Sequence, residues 1–224
     1  MILRIDKDSR WTVAIVWLGC AAVVPLLFIF VANPWICWPV TALMLWTAGW
    51  QTLFHRVPER FSDGSDTLVS AVADGKVVVL EKAFEPEYLR SECLQISVYM
   101  DFWDVHANFW PLDGKVSHYE YHPGKHLLAF KPKASLENEH TCTTIRNAAG
   151  QEVLFKQLAG GFARRIVCYS REGMEVKAGE QCGIIRFGSR IDYFLPLDAK
   201  PLVRLGQTVR ACETLIAELA NTSK

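Results

Sequence analysis

From Trp11 to Ala32 the chain carries no charged side chain (WTVAIVWLGCAAVVPLLFIFVA). That is long enough to cross a bilayer, whose hydrocarbon core takes a helix of about 20 residues. After the turn-forming pair Asn33-Pro34, a second uncharged run extends from Trp35 to Phe54, and Trp35, Trp38, Trp46 and Trp50 along it suit a membrane interface. Arg4, Lys7 and Arg10 precede the first run, and His55, Arg56 and Arg60 follow the second. The positive-inside tendency therefore places both flanks in the cytoplasm. The expectation is a hydrophobic helical hairpin over residues 1–55 that anchors the chain at the cytoplasmic face of the cell membrane. It either spans the bilayer or re-enters it, with kinks at Pro25 and Pro39. A buried helix pair of a soluble protein is the alternative. A cleaved signal peptide fits less well, because the first run is long and leads into a second apolar segment.

Charge excludes little on its own but does narrow the partners. Twenty-four basic residues balance twenty-four acidic ones, so nothing global points to nucleic acid. Seven scattered cysteines form no C-x-x-C pair, a pattern of reduced thiols rather than of a disulfide framework. No clustered Cys and His ligands stand out, so no metal is expected from the sequence.

Beyond Arg56 the composition changes to short apolar runs broken by Gly, Pro, Asp and Asn, the punctuation of a β-rich domain. Strands are predicted at 75–80, 94–98, 115–121, 127–130, 152–157, 165–169, 183–186 and 191–195. Short helices are predicted at 85–91 and 207–219, and 155–166 fits neither period cleanly. GMEVKAGEQCG and VRLGQTVRACETL read as two related β-turn units of the kind found in barrel-sandwich carrier domains. The fold class is α+β: a mainly β catalytic domain with barrel-sandwich-like strands over residues 56–224, preceded by the hydrophobic helical hairpin.

Gly188-Ser189 is ordinary turn material by itself, but in CGIIRFGSRIDYFLP it lies on a tight connection between two strand-like runs. Glycine there opens backbone conformations closed to other residues, and a strained peptide bond can become reactive. GIIRFGSRIDYFLP resembles the short form of the phosphatidylserine decarboxylases, in which a Gly-Ser bond in an R-F-G-S-R setting cleaves itself. VADGKVV (72–78), DVHANFWPLDGKV (104–116), HPGK (122–125), KASLENEH (133–140) and LAGGFARRIVCY (158–169) resemble the same family in the same order. The resemblance covers roughly residues 56–217.

The resemblance implies a chemistry. The Ser189 hydroxyl attacks the Gly188 carbonyl and shifts the acyl group from nitrogen to oxygen. β-Elimination then releases a chain ending in Gly188, leaving dehydroalanine that tautomerises and hydrolyses, with loss of ammonia, to a pyruvoyl group at position 189. The products are a large chain, 1–188, and a small chain, 189–224. The pyruvoyl group derived from Ser189 is the cofactor: it forms a Schiff base with the amine of phosphatidylserine and takes up the electrons left as CO2 departs, the role that pyridoxal phosphate plays elsewhere. Phosphatidylethanolamine is the product.

The resemblance also implies the helping groups. His106 in DVHANFWP is the candidate base, since imidazole exchanges protons near neutral pH; a structural histidine is the alternative. Asp74 in VADGKVV is the candidate partner in self-processing, set against its reading as a plain Asp-Gly hairpin turn. Long bacterial forms carry a second histidine where this chain has Phe109. His118, His122, His126 and His140 are expected at the surface or in turns, and Arg164, Arg165, Lys131 and Lys133 offer charge for an anionic headgroup or membrane. The partners implied are a phospholipid substrate, the membrane and the two chains of one precursor, with self-association left open. The competing readings are a membrane-tethered noncatalytic carrier or adaptor and, among enzymes, an archaetidylserine decarboxylase.

Overall fold

The computed structural model describes residues 4–31, 33–62, 66–125, 137–160, 165–186 and 189–220. The chain divides into two compact units, Met1–Pro58 and Glu59–Lys224.

The first unit is a pair of helices, α1 (Arg10–Phe30) and α2 (Pro34–Phe54). Asn33 starts α2 by accepting the backbone N–H of Trp35 at 3.1 Å, and Pro34 fills the first helical position, where its missing N–H costs nothing. The helices run antiparallel. Trp17 Nε1 donates to Thr52 Oγ1 at 2.9 Å near one end, and Phe28 meets Trp38 edge-on at 5.3 Å near the other. Each helix leaves large apolar side chains exposed, among them Trp11, Ile15, Leu18, Trp35 and Leu43. α1 is long and apolar enough to cross a membrane by length and composition.

The second unit is almost entirely β, so the chain is α+β and mainly β. Its strands are β1 (Leu68–Ser70), β2 (Gly75–Glu85), β3 (Ser91–Met100), β4 (Ala107–Phe109), β5 (Gly114–His122), β6 (His140–Arg146) and β7 (Glu152–Ala159). They continue as β8 (Arg165–Cys168), β9 (Glu175–Val176), β10 (Gln181–Arg186), β11 (Ser189–Leu195), β12 (Lys200–Pro201), β13 (Thr208–Val209) and β14 (Leu215–Glu218). An eight-stranded antiparallel sheet runs β13-β2-β3-β11-β7-β6-β5-β9. Two three-stranded sheets, β4-β10-β8 and β1-β14-β12, complete the unit.

Strand alternation sends one face of β11 (Ile191, Tyr193, Leu195) into the main apolar core with Ile96, Val98, Phe155 and Ile145. The other face carries Arg190, Asp192 and Phe194, and it is buried too. Charge there is paired. Arg190 grips Asp192 through Nε–Oδ1 at 2.7 Å and Nη2–Oδ2 at 2.8 Å, and Lys156 Nζ bridges Glu85 at 2.8 Å and Glu87 at 2.7 Å. Burial opposes the charge of Glu87, but hydrogen bonds from His140 and Lys156 outweigh it and hold the carboxyl at about 2.

Two expected elements differ. Residues 85–91 form the end of a hairpin, with Glu85 paired to Ser91, rather than a helix. The Glu85 carboxylate accepts the backbone N–H groups of Glu87, Tyr88 and Leu89 and so closes a turn. Residues 207–219 hold β13 and β14 in place of a helix, because Cys212 turns the chain at φ 66°. The expected strand at 127–130 lies outside the described residues.

Candidate active site

Ser189 opens β11 and is completely buried. Its register partners are Met100, which ends β3, and Ala159, which ends β7. The Ser189 hydroxyl donates to Met100 Sδ at 3.6 Å, a weak acceptor. Gly188 lies outside the described residues. β10 ends at Arg186 in one sheet and β11 begins at Ser189 in another, so the expected cleavage point falls between strands of different sheets.

The motif segments, far apart in sequence, meet at Val72. Its N–H donates to the Tyr193 hydroxyl at 2.6 Å, tying the VADG turn to β11, and its carbonyl accepts Phe109 N–H at 2.9 Å, tying the same turn to β4. Burial pushes the Tyr193 phenol well above its ordinary value, so it stays neutral. Gly75, next to Asp74, opens the long β2 strand and is obligatory there (φ 153°): a Cβ would strike the Tyr99 carbonyl oxygen.

His106 is buried immediately before β4, and its carbonyl accepts Ile185 N–H at 3.3 Å beside the end of β10. Its Nδ1 stands 3.0 Å from the Asp104 carbonyl oxygen. A carbonyl only accepts, so Nδ1 carries a proton; in the neutral ring that leaves the lone pair on Nε2, the tautomer a base requires.

Asp74 is held differently from a carboxylate that orients a histidine. It forms a two-pronged pair with Arg60, with Nη2–Oδ2 at 2.8 Å, and its Oδ1 accepts Ala211 N–H at 2.8 Å. Despite the opposing effect of burial, this pairing raises the Arg60 guanidinium further above its ordinary range. The structure thus brings the VADG backbone to Ser189's strand and gives the Asp74 side chain to Arg60.

Three residues not singled out in the sequence line the same face. Asn108 Nδ2 lies 4.0 Å from Met100 Sδ, the atom that Ser189 also touches. Gln157 Nε2 donates to Asn108 Oδ1 at 2.7 Å, and Thr141 Oγ1 donates to Gln157 Oε1 at 2.9 Å. This relay fixes the Asn108 amide with its N–H groups toward the methionine sulfur. Gly183 makes room for it, since a Cβ there would stand 3.0 Å from Gln157 Nε2. Nothing in a lone Asn, Gln or Thr marks such a relay; only the position of Asn108 inside DVHANFWP gave a signal.

Of the remaining expected groups, His126, Lys131, Lys133 and Arg164 lie outside the described residues. His118 stacks on Tyr88 at 4.2 Å on β5. His140 departs from its expected surface or turn position: it opens β6 and is buried.

The family model described as phosphatidylserine decarboxylase matches residues 48–217. The chain belongs to the phosphatidylserine decarboxylase family. It is 44% identical over 172 residues to a phosphatidylserine decarboxylase proenzyme of Amoebophilus asiaticus, covering 77% of this chain and 76% of that one. It is 47% identical over 180 residues to the corresponding proenzyme of Cupriavidus taiwanensis, covering 80% and 83%. With that of Paraburkholderia phymatum the match is 41% over 203 residues, covering 91% and 93%. The family is thus one of decarboxylases made as zymogens, and the carrier reading loses its ground.

Proposed function

We propose that this member of the phosphatidylserine decarboxylase family cuts itself between Gly188 and Ser189 and uses the resulting pyruvoyl group to convert phosphatidylserine to phosphatidylethanolamine and CO2. The observation that carries the reading is the placement of Ser189. It is a fully buried hydroxyl at the first residue of a central strand, and the same strand is tied through Tyr193 to Val72, which joins the VADG turn to the HANF strand. A dry site strengthens every charge interaction that processing needs.

The chain's own groups divide the work. The Ser189 hydroxyl attacks the preceding carbonyl, and His106, with its Nε2 lone pair, takes the hydroxyl proton. To the Asn108 N–H groups, directed by Gln157 and Thr141 toward the Met100 sulfur that Ser189 also touches, we assign the stabilising of negative charge on oxygen during processing. Asp74 supports processing by holding the VADG turn through Arg60 and Ala211. Once formed, the pyruvoyl group supplies a carbonyl that accepts the substrate amine and the electrons released with CO2. Its niche fits the residues present: the uncharged Met100 and Ala159 flank position 189.

Residues 1–55 serve as the membrane anchor on the cytoplasmic face, keeping the site at the surface where a diacyl substrate resides. The apolar length of α1 and the exposed side chains on both helices support this. The test is Ser189→Ala assayed with phosphatidylserine in detergent micelles. Loss of all CO2 release, with the chain left whole, is expected; full activity would place the electron sink elsewhere.

A further inference from the structure

On the sheet face opposite Ser189, strand pairing assembles a group that the sequence disperses. His122, the last residue of β5, and His140, the first of β6, are register partners. Their rings stack at 4.6 Å with planes 9° apart, and Glu87, from the connection between β2 and β3, reaches both.

His140 Nδ1 lies 2.7 Å from the Asn138 carbonyl oxygen, so it carries a proton. Its Nε2 then points a second time at an acceptor, the Glu87 carboxylate, at 3.0 and 3.2 Å. An imidazole nitrogen and a carboxylate at that distance share either a proton, as in the hydrogen bond described above, or a metal ion. His122 Nε2 is buried and has no hydrogen-bond partner among the described residues, with Glu120 and Glu87 oxygens at 3.5 and 3.8 Å.

We infer that Glu87, His122 and His140 form a binding site for a divalent transition-metal ion of the zinc class. Two ligands each about 2.0–2.1 Å from a tetrahedral ion stand roughly 3.3 Å apart, and the separations between Glu87 and the two imidazoles, 3.0 to 3.8 Å, bracket that spacing. All three ligand atoms lie within 4.8 Å of one another. Imidazole and carboxylate together suit zinc rather than magnesium or calcium. The Asn138 carbonyl acts on His140 as outer partners commonly do on metal-bound histidines, fixing the tautomer and aiming Nε2. Glu87 and His122 are partly open to solvent, which leaves room for water as a fourth ligand. Lys156 on Glu87 Oε2 tempers the affinity and leaves Oε1 to the ion.

Such an ion clips the β2–β3 connection to the base of the β5–β6 connection. Its role is to stabilise the fold and is independent of the pyruvoyl reading. The purified full chain in detergent, stripped with EDTA and desalted, is titrated with ZnCl2 against a chromophoric chelator while thermal unfolding is followed in parallel. One equivalent of Zn2+ and a raised unfolding temperature are expected. His122→Ala should weaken binding at least tenfold and abolish the rise while keeping the wild-type circular dichroism. Glu87→Gln, which spares both histidines, should do the same. No bound zinc in the wild type, or equal binding by His122→Ala and Glu87→Gln, overturns the site.

Discussion

Asp74 and Asp113 hold the same place in two copies of one structural unit: each carboxylate accepts the N–H of an alanine, Ala211 at 2.8 Å and Ala178 at 2.7 Å. Each is followed by Gly-Lys-Val. Gly75 pairs with Val209 and Gly114 with Val176, so that β13 and β9 close the two ends of the eight-stranded sheet in the same way. Both glycines are needed for the close approach, since a Cβ at Gly114 would strike the Arg146 carbonyl oxygen as one at Gly75 would strike that of Tyr99. Asp74 differs in also taking the Arg60 guanidinium.

This duplication supplies a control for the proposed part of Asp74 in processing. Asn keeps the shape and one acceptor oxygen, so Asp113→Asn should be cut at the normal rate. Asp74→Asn should accumulate as uncut precursor, visible on a denaturing gel. Equal processing of the two variants would reduce Asp74 to a turn residue like its counterpart.

His106→Gln tests the base. Removing a general base typically costs a factor of about 10² to 10⁴, and a slowing of that size in the processing half-time is expected. Because His106 is buried beside β10, circular dichroism should accompany the kinetics to show an intact fold. Processing and turnover at wild-type rates would remove His106 from the chemistry.

Asn108→Ala should be felt in both stability and processing. It leaves Gln157 Nε2, now hydrogen-bonded at 2.7 Å, without that acceptor in a buried setting, at a cost of about 1–3 kcal/mol. Denaturant unfolding measures that cost, and the rate of precursor loss reports on the amide's role beside Ser189. A variant that is destabilised yet cut at full speed would leave Asn108 a structural role only.

Lys156→Met addresses the other face of the sheet. The substitution leaves Glu85, which is fully buried, and Glu87 facing each other without the ammonium that joins them. Stranding buried charge in this way costs about 3–5 kcal/mol. A loss below about 1 kcal/mol in urea unfolding would show that water or rearrangement compensates.

The sequence made the helices and the central strands legible because their signals are local. Asn33-Pro34 marks the start of α2, and the apolar runs at 75–80, 94–98 and 191–195 fall within β2, β3 and β11. β6 escaped because HTCTTIR lacks apolar alternation: its threonines are buried through hydrogen bonds, Thr141 to Gln157 and Thr143 with Ser170. The two missed turns rest on features that hydrophobic periodicity does not display, the Glu85 carboxylate capping the N–H groups just after it and a positive φ at Cys212. Half of the duplicated unit was readable as the paired valine turns, while ADGKVV and LDGKVS, which complete it, went unmatched. Of the candidate site, Ser189 and His106 were singled out by the motifs around them. The Asn108 relay was not, since it joins β4, β6 and β7 and appears only once they are folded.

The most direct measurement is the intact mass of the purified wild-type protein under denaturing conditions. The account expects two species, residues 1–188 and residues 189–224, with the smaller one blocked at its first residue by a ketone and visible to a carbonyl-reactive hydrazide. An active preparation consisting of the uncut 224-residue chain would contradict it.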